Sequence, residues 1–229
     1  MPNSSALSLQ PPTGTIADGG ARPASAGSSP NKIIVIGAST GGPQALAVVL
    51  GGLRPALRHA AIMVVLHIPT EFTEVIAAHI QKSTGLPARA GRQGETVEAG
   101  QIYISPGDVH LGLVRIGDMP VIVLRDDPPE NFCKPSVDVL FRSAARCFGA
   151  DVIGVILTGM GSDGLEGSRA IVEAGGKIIA QDAASSTVWG MPGAVVNHGL
   201  AYAVLPVDRI ASGVCTLLES QLRVRGKNS

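Results

Sequence analysis

The chain has 229 residues, 45% of them hydrophobic but only 3% aromatic, with 18 Lys and Arg against 18 Asp and Glu. Val, Ile, Leu and Ala can fill the core of one large domain, and a neutral balance supplies no global field to hold nucleic acid or an anionic membrane. Cys133, Cys147 and Cys215 form no C-x-x-C pair, no apolar run approaches the roughly 20 residues of a membrane helix, and no basic residue precedes Arg22 as an export signal would require, so a cytoplasmic protein with reduced thiols is expected.

Residues 1–31 are dominated by Ser, Pro, Gly and Ala, and they are expected to form a disordered tail. From Lys32 the pattern becomes short apolar runs alternating with helical periodicity, so residues 32–225 read as one domain. The first run, Ile33–Ile36, ends in Gly37-Ala38-Ser39-Thr40-Gly41-Gly42-Pro43, which matches the G-x-S-x-G nucleophile pattern. Pro43 suits the first turn of a following helix, whose free N–H groups would lie near Ser39. The second run, Ile62–Leu66, leads to His67-Ile68-Pro69. A third, Ile102–Ile104, precedes Pro106-Gly107-Asp108-Val109-His110, and two alternating runs across 109–125 flank Gly117-Asp118 as a hairpin.

A helix over 136–149 follows, with Val137, Leu140, Phe141, Ala144, Ala145 and Phe148 on one face, Ser136 at its start and Gly149 at its end. Val152–Leu157 is the next apolar run, and Thr158-Gly159-Met160-Gly161-Ser162-Asp163-Gly164 leaves it. Runs at Lys177–Ala180 and Ala201–Val204 bracket Trp189 and Met191, and Ile210, Val214, Leu217, Leu218 and Leu222 place a last helix at 208–223. Runs apolar on both faces, with helices between, predict an α/β fold: a doubly wound, mostly parallel sheet with helices on both faces and an antiparallel hairpin excursion. Ligands of such sheets bind beyond the carboxyl ends of the strands.

At those ends stand Ser39, His67 and Asp163. Each has a plain structural reading: a capping serine, a strand-end histidine, a helix-capping aspartate. Together they have the composition of a nucleophile, a base titrating near neutral pH, and an acid that orients the base through Nδ1–H. The spacing of Asp108 and His110 is weak as a metal pair, and Cys133 has no partner in sequence that would mark it as a nucleophile. Trp189 either walls a cleft or packs in the core, and the 185–192 loop that holds Trp189 and Met191 is the expected substrate cleft. A phosphate- or nucleotide-binding module is the alternative offered by Gly37-x-x-x-Gly41-Gly42. His67 stands where a dinucleotide site would want an acid, and no P-loop lysine motif is present.

These segments resemble the catalytic domain of the CheB-type protein-glutamate methylesterases of chemotaxis. The resemblance rests on Ile36–Gly42, His67–Pro69, Ser105–Asp108, Lys134–Phe141, Ile156–Gly164 and Ala180 through Pro192, in family order. It implies Ser39, His67 and Asp163 as a catalytic triad and backbone N–H groups near Thr40 and Met160 as the oxyanion hole. It also implies methylated glutamates on the cytoplasmic domains of chemoreceptors as substrate, deamidation of receptor glutamines as a second reaction, and no metal or cofactor. An inactive signalling adaptor of the same fold would lack the triad. Family members carry a phospho-receiver domain, for which residues 1–31 supply neither the length nor the acidic pocket, so phosphorylation control is not expected.

Overall fold

Lys32–Ala38 forms β1, buried along its whole length, at the middle of the sheet. The computed structural model describes residues 28–58 and 60–226. Most of the expected tail, residues 1–27, lies outside them. Residues 28–31 have no regular structure, yet Pro30 is buried and the Ser28 carbonyl accepts from Ala99 N at 3.0 Å, so the packed chain begins earlier than composition suggested.

After β1 come α1 (Gly42–Gly52), β2 (Ala60–Leu66), α2 (Thr73–Thr84), β3 (Ala88–Ala90) and β4 (Ile102–Ile104). The hairpin is β5 (His110–Ile116) and β6 (Met119–Arg125). Then follow α3 (Val137–Phe148), β7 (Val152–Ile156), α4 (Leu165–Glu173), β8 (Lys177–Gln181), α5 (Gly190–Asn197), β9 (Ala203–Leu205) and α6 (Val207–Gly226). Among the described residues seven strands form one sheet in the order β3-β4-β2-β1-β7-β8-β9, every pair parallel, while β5 and β6 form a separate antiparallel ribbon. The doubly wound fold with its hairpin excursion is as expected.

The two faces of β1 explain the two-sided apolar runs. Ile34 and Ile36 pack with Leu46, Leu50 and Val214 from α1 and α6, and Ile33 and Val35 with Leu140 and Phe141 of α3 and with Leu111 and Ile122 of the hairpin. Fully burying one such side chain contributes roughly 1.5–3 kcal/mol, so α3 is fixed chiefly by its buried stripe. From β1 the chain moves to β2 on one side, and β7 later adds on the other. The resulting switch point opens beyond the carboxyl ends of β1, β2 and β7.

Candidate active site

Ser39 leaves β1 in a turn held by two backbone bonds: Ser39 N donates to Thr158 O at 3.0 Å, and Gly42 N donates to Ser39 O at 2.7 Å. Gly41 takes φ 78° there, a left-handed conformation that glycine adopts without strain, and a Cβ on it would lie 2.3 Å from Thr187 Oγ1. A side chain at position 41 would therefore collide with Thr187. The Ser39 hydroxyl is half-buried and has no hydrogen-bond partner among the described residues.

His67 enters beside it because β1 and β2 run in register, Ala38 opposite Leu66, and His67 N donates to Ala38 O at 3.2 Å. Its Nε2 lies 2.8 Å from Asp163 Oδ2. Sequence reasoning assigned this bond to Nδ1; the ring is turned the other way. With Nε2–H donated to the carboxylate, Nδ1 carries the free lone pair. Nδ1 lies 3.9 Å from Cys133 Sγ.

Asp163 is 2% exposed, and it does not cap the helix that follows it, whose first cap is Gly164. Its carboxylate sits instead at the start of α3. Oδ1 accepts from Ser136 Oγ at 2.8 Å and Asp138 N at 3.1 Å, and Oδ2 accepts from Val137 N at 2.7 Å. Burial pushes this carboxyl up, but the hydrogen bonds from His67, Val137, Ser136 and Asp138 outweigh it and hold it below the usual carboxylate value. The helix N-terminus favours the same anion. An ionised aspartate fixed on both oxygens can orient an imidazole and stabilise its cation.

Of the residues that support this arrangement, the sequence offered Ser136 only as a helix start and His110 only as half of a weak metal pair. Ser136 N donates to His110 Nδ1 at 3.1 Å, while His110 Nε2 bonds the Pro128 carbonyl, also at 3.1 Å. His110 is thus buried and committed at both nitrogens while Asp108 is exposed, which removes them as a metal pair. Asp138, fully buried, accepts from Gly167 N and Asn131 Nδ2, each at 2.6 Å, tying α4 and the 130–133 turn to α3. Burial raises its carboxyl to about 6; the Gly167 bond opposes this and the Asp163 charge adds to it. Helix-start chemistry was legible at Pro135-Ser136, but it pointed to capping of α3 by its own Ser136, not by a residue 26 positions away.

Thr40 N and Met160 N have no acceptor among the described residues, and both flank the Ser39 turn. Thr158 Oγ1 donates to Thr40 O at 2.9 Å and accepts from Val188 N at 3.0 Å, joining this turn to the 185–192 loop. In that loop Trp189 is half-buried, its Nε1 donating to Gln181 O at 2.9 Å. Met191 is fully buried beneath Gly159, where a Cβ on Gly159 would lie 2.3 Å from its sulfur. Met191 therefore supports the Ser39 turn and does not line a cleft, because packing under Gly159 leaves it no open face. The atoms with metal-ligand chemistry in the site are those of His67, Cys133 and Asp163, all within 4.8 Å of one another.

The chain matches the family model "CheB methylesterase" over residues 34–214. It is 49% identical over 179 residues to a protein-glutamate methylesterase/protein-glutamine glutaminase of Rhodopseudomonas palustris, covering 78% of this chain and 46% of that protein. It is 47% identical to one of Paramagnetospirillum magneticum, covering 82% and 49%. The chain thus spans about half the length of these curated relatives. The crystal structure of the Thermotoga maritima CheB methylesterase catalytic domain superposes with a TM-score of 0.77 at 37% identity, covering 81% of this chain and 98% of that one. By its fold, its matched residues and its relatives, the chain belongs to the CheB methylesterase family.

Proposed function

We propose that this chain hydrolyses glutamate methyl esters on the cytoplasmic domains of methyl-accepting chemoreceptors, acting in the cytoplasm as a serine esterase. The observation that carries the reading is the fixed pair His67 Nε2–Asp163 Oδ2 at 2.8 Å, beside the unpartnered Ser39 hydroxyl. With Nε2–H held by Asp163, the proton of Ser39 goes to Nδ1 as Oγ attacks the ester carbonyl. Catalytic hydrogen bonds are often long without substrate and tighten in the complex, which accounts for a Ser39 hydroxyl that reaches no acceptor here. The carbonyl oxygen becomes an oxyanion facing Thr40 N and Met160 N, donors without an acceptor among the described residues. The imidazolium, stabilised by the Asp163 charge, then protonates departing methanol. Water repeats the cycle on the acyl-enzyme and releases glutamate.

The same attack on a glutamine side chain would expel ammonia, so receptor deamidation is the second reaction we propose, as the names of the relatives indicate for those proteins. The substrate side chain would lie extended beside Trp189 and the 185–192 loop. Phe132 and Met160, large apolar side chains 103% and 73% exposed, offer surface for a protein substrate near the site. The decisive experiment is methanol release from methylated receptor membranes by purified protein, with Ser39→Ala as control. Absence of release by the wild-type chain, or equal release by the mutant, would overturn the reading.

A further inference from the structure

Cys133 and His67 meet in a geometry that the esterase mechanism does not use. Cys133 lies on a turn closed by reciprocal backbone bonds with Glu130: Cys133 N donates to Glu130 O at 2.8 Å, and Glu130 N donates to Cys133 O at 3.1 Å. Glu130 is clamped by both guanidinium nitrogens of Arg142, at 2.6 and 2.5 Å, and Asn131 is tied to Asp138. The sulfur is therefore held in place relative to α3, as His67 is by Asp163. Both side chains are half-buried and open to solvent.

We propose that Cys133 Sγ and His67 Nδ1 form a site for a thiophilic divalent cation of the Zn²⁺ type, and that occupancy reversibly inhibits the enzyme. The ligand separation of 3.9 Å suits it. Zinc–sulfur and zinc–nitrogen bonds of about 2.3 and 2.1 Å place the two atoms about 3.6 Å apart at a tetrahedral angle, and no more than about 4.4 Å apart. The histidine is already set for the role. A metal-ligating imidazole ordinarily donates its other ring N–H to a carboxylate, and Nε2–H of His67 donates to Asp163. Asp163 itself acts in that outer position and not as a ligand, because its oxygens are taken by Ser136, Val137, Asp138 and His67. Binding forms Sγ–metal and Nδ1–metal bonds, releases the thiol proton to solvent and changes no oxidation state. Solvent fills the remaining positions.

Inhibition follows because the cation takes the lone pair that would accept the Ser39 proton; this consequence rests on the esterase reading, whereas the site does not. The test is titration of the purified chain with Co²⁺, followed by its thiolate-to-metal charge-transfer absorption, and a parallel esterase assay with Zn²⁺. A band saturating at one equivalent, present in Cys147→Ser and absent in Cys133→Ser and Cys133→Ala, is expected. Zn²⁺ should inhibit, a chelator should restore activity, and both Cys133 variants should retain activity without metal. Their inhibitory Zn²⁺ concentration should rise by more than about tenfold, since losing even an outer partner costs about 10–100-fold in metal affinity. A wild-type chain without the band, a band that survives in both Cys133 variants, or equal inhibition of wild type and variants would overturn the proposal. An inactive wild-type chain would refute the esterase reading, and the cobalt titration would still decide the site.

Discussion

Replacing Asp163 by Asn separates a catalytic acid from a helix cap, and the structure fixes what the change should cost. The carboxylate accepts four hydrogen bonds, two on each oxygen. An amide nitrogen placed at Oδ2 would oppose both Val137 N–H and His67 Nε2–H. Placed at Oδ1 it opposes Asp138 N–H, while the Ser136 hydroxyl can rotate to accept from it. The second placement keeps the His67 bond and its tautomer, and it leaves one buried N–H unpaired, at about 1–3 kcal/mol. For a domain of this size that is a fall in melting temperature of roughly 2–12 °C. What the rate loses is the charge that stabilises the imidazolium. A unit pair about 4 Å apart at an effective dielectric of about 20 is worth roughly 4 kcal/mol, or about a thousandfold in turnover.

The stability effect also has a pH signature. The Asp163 carboxyl is held below its usual value, so its contribution is present above the unfolded-state value of about 3.9 and is lost as pH falls through the lower folded one. The gap between wild type and mutant should therefore narrow in acid. Methanol release and thermal unfolding, measured on the same preparations, check both parts. A mutant that melts several degrees lower yet keeps a rate within about tenfold of wild type would show that Asp163 serves α3 and not His67.

Ser39→Ala should abolish methanol release, by several orders of magnitude, with stability unchanged within about 0.5 kcal/mol, because the hydroxyl bonds to nothing among the described residues. Asp138→Asn should reverse a pH dependence: with its folded carboxyl raised to about 6, the wild type is destabilised above the unfolded value of about 3.9 and recovers stability, roughly 3 kcal/mol, as pH falls from about 7 to about 4. The asparagine variant should thus gain on wild type near neutrality and not in acid, and a difference in unfolding free energy that ignores pH would refute the assignment. Gly159→Ala should cost about 1–3 kcal/mol and lower turnover, since its Cβ would press on Met191 Sδ at 2.3 Å and on Ser39 Cβ at 2.8 Å; unchanged kinetics would mean that the Ser39 turn is not braced there.

What the sequence made legible follows from which forces act locally. β1, β2 and β7 are buried on both faces, so their apolar runs stand out, and their ends are marked by glycine after β1 and β7 and by Pro69 after β2; that brought Ser39, His67 and Asp163 into view. β3 escaped notice because Ala88-Arg89-Ala90 is a half-buried edge strand that carries no apolar run, and its arginine turns back to Glu95 and Gln101. β9 is likewise short and partly exposed, and it begins two residues later than the apolar run at Ala201 suggested. The support of the triad was hidden for a different reason. Ser136 reaches Asp163 across 27 positions and His110 reaches Ser136 across 26, and what recruits them is the hairpin that packs on α3 and the start of α3 itself. No periodicity encodes a backbone N–H offered to a distant carboxylate. The ring orientation of His67 is illegible for the same reason: Nδ1 and Nε2 are one residue type in a sequence, and which of them faces Asp163 is decided by where α3 delivers that carboxylate. The same delivery leaves Nδ1 between Ser39 chemistry and the Cys133 sulfur, so the base that serves the esterase is also the ligand a cation would take.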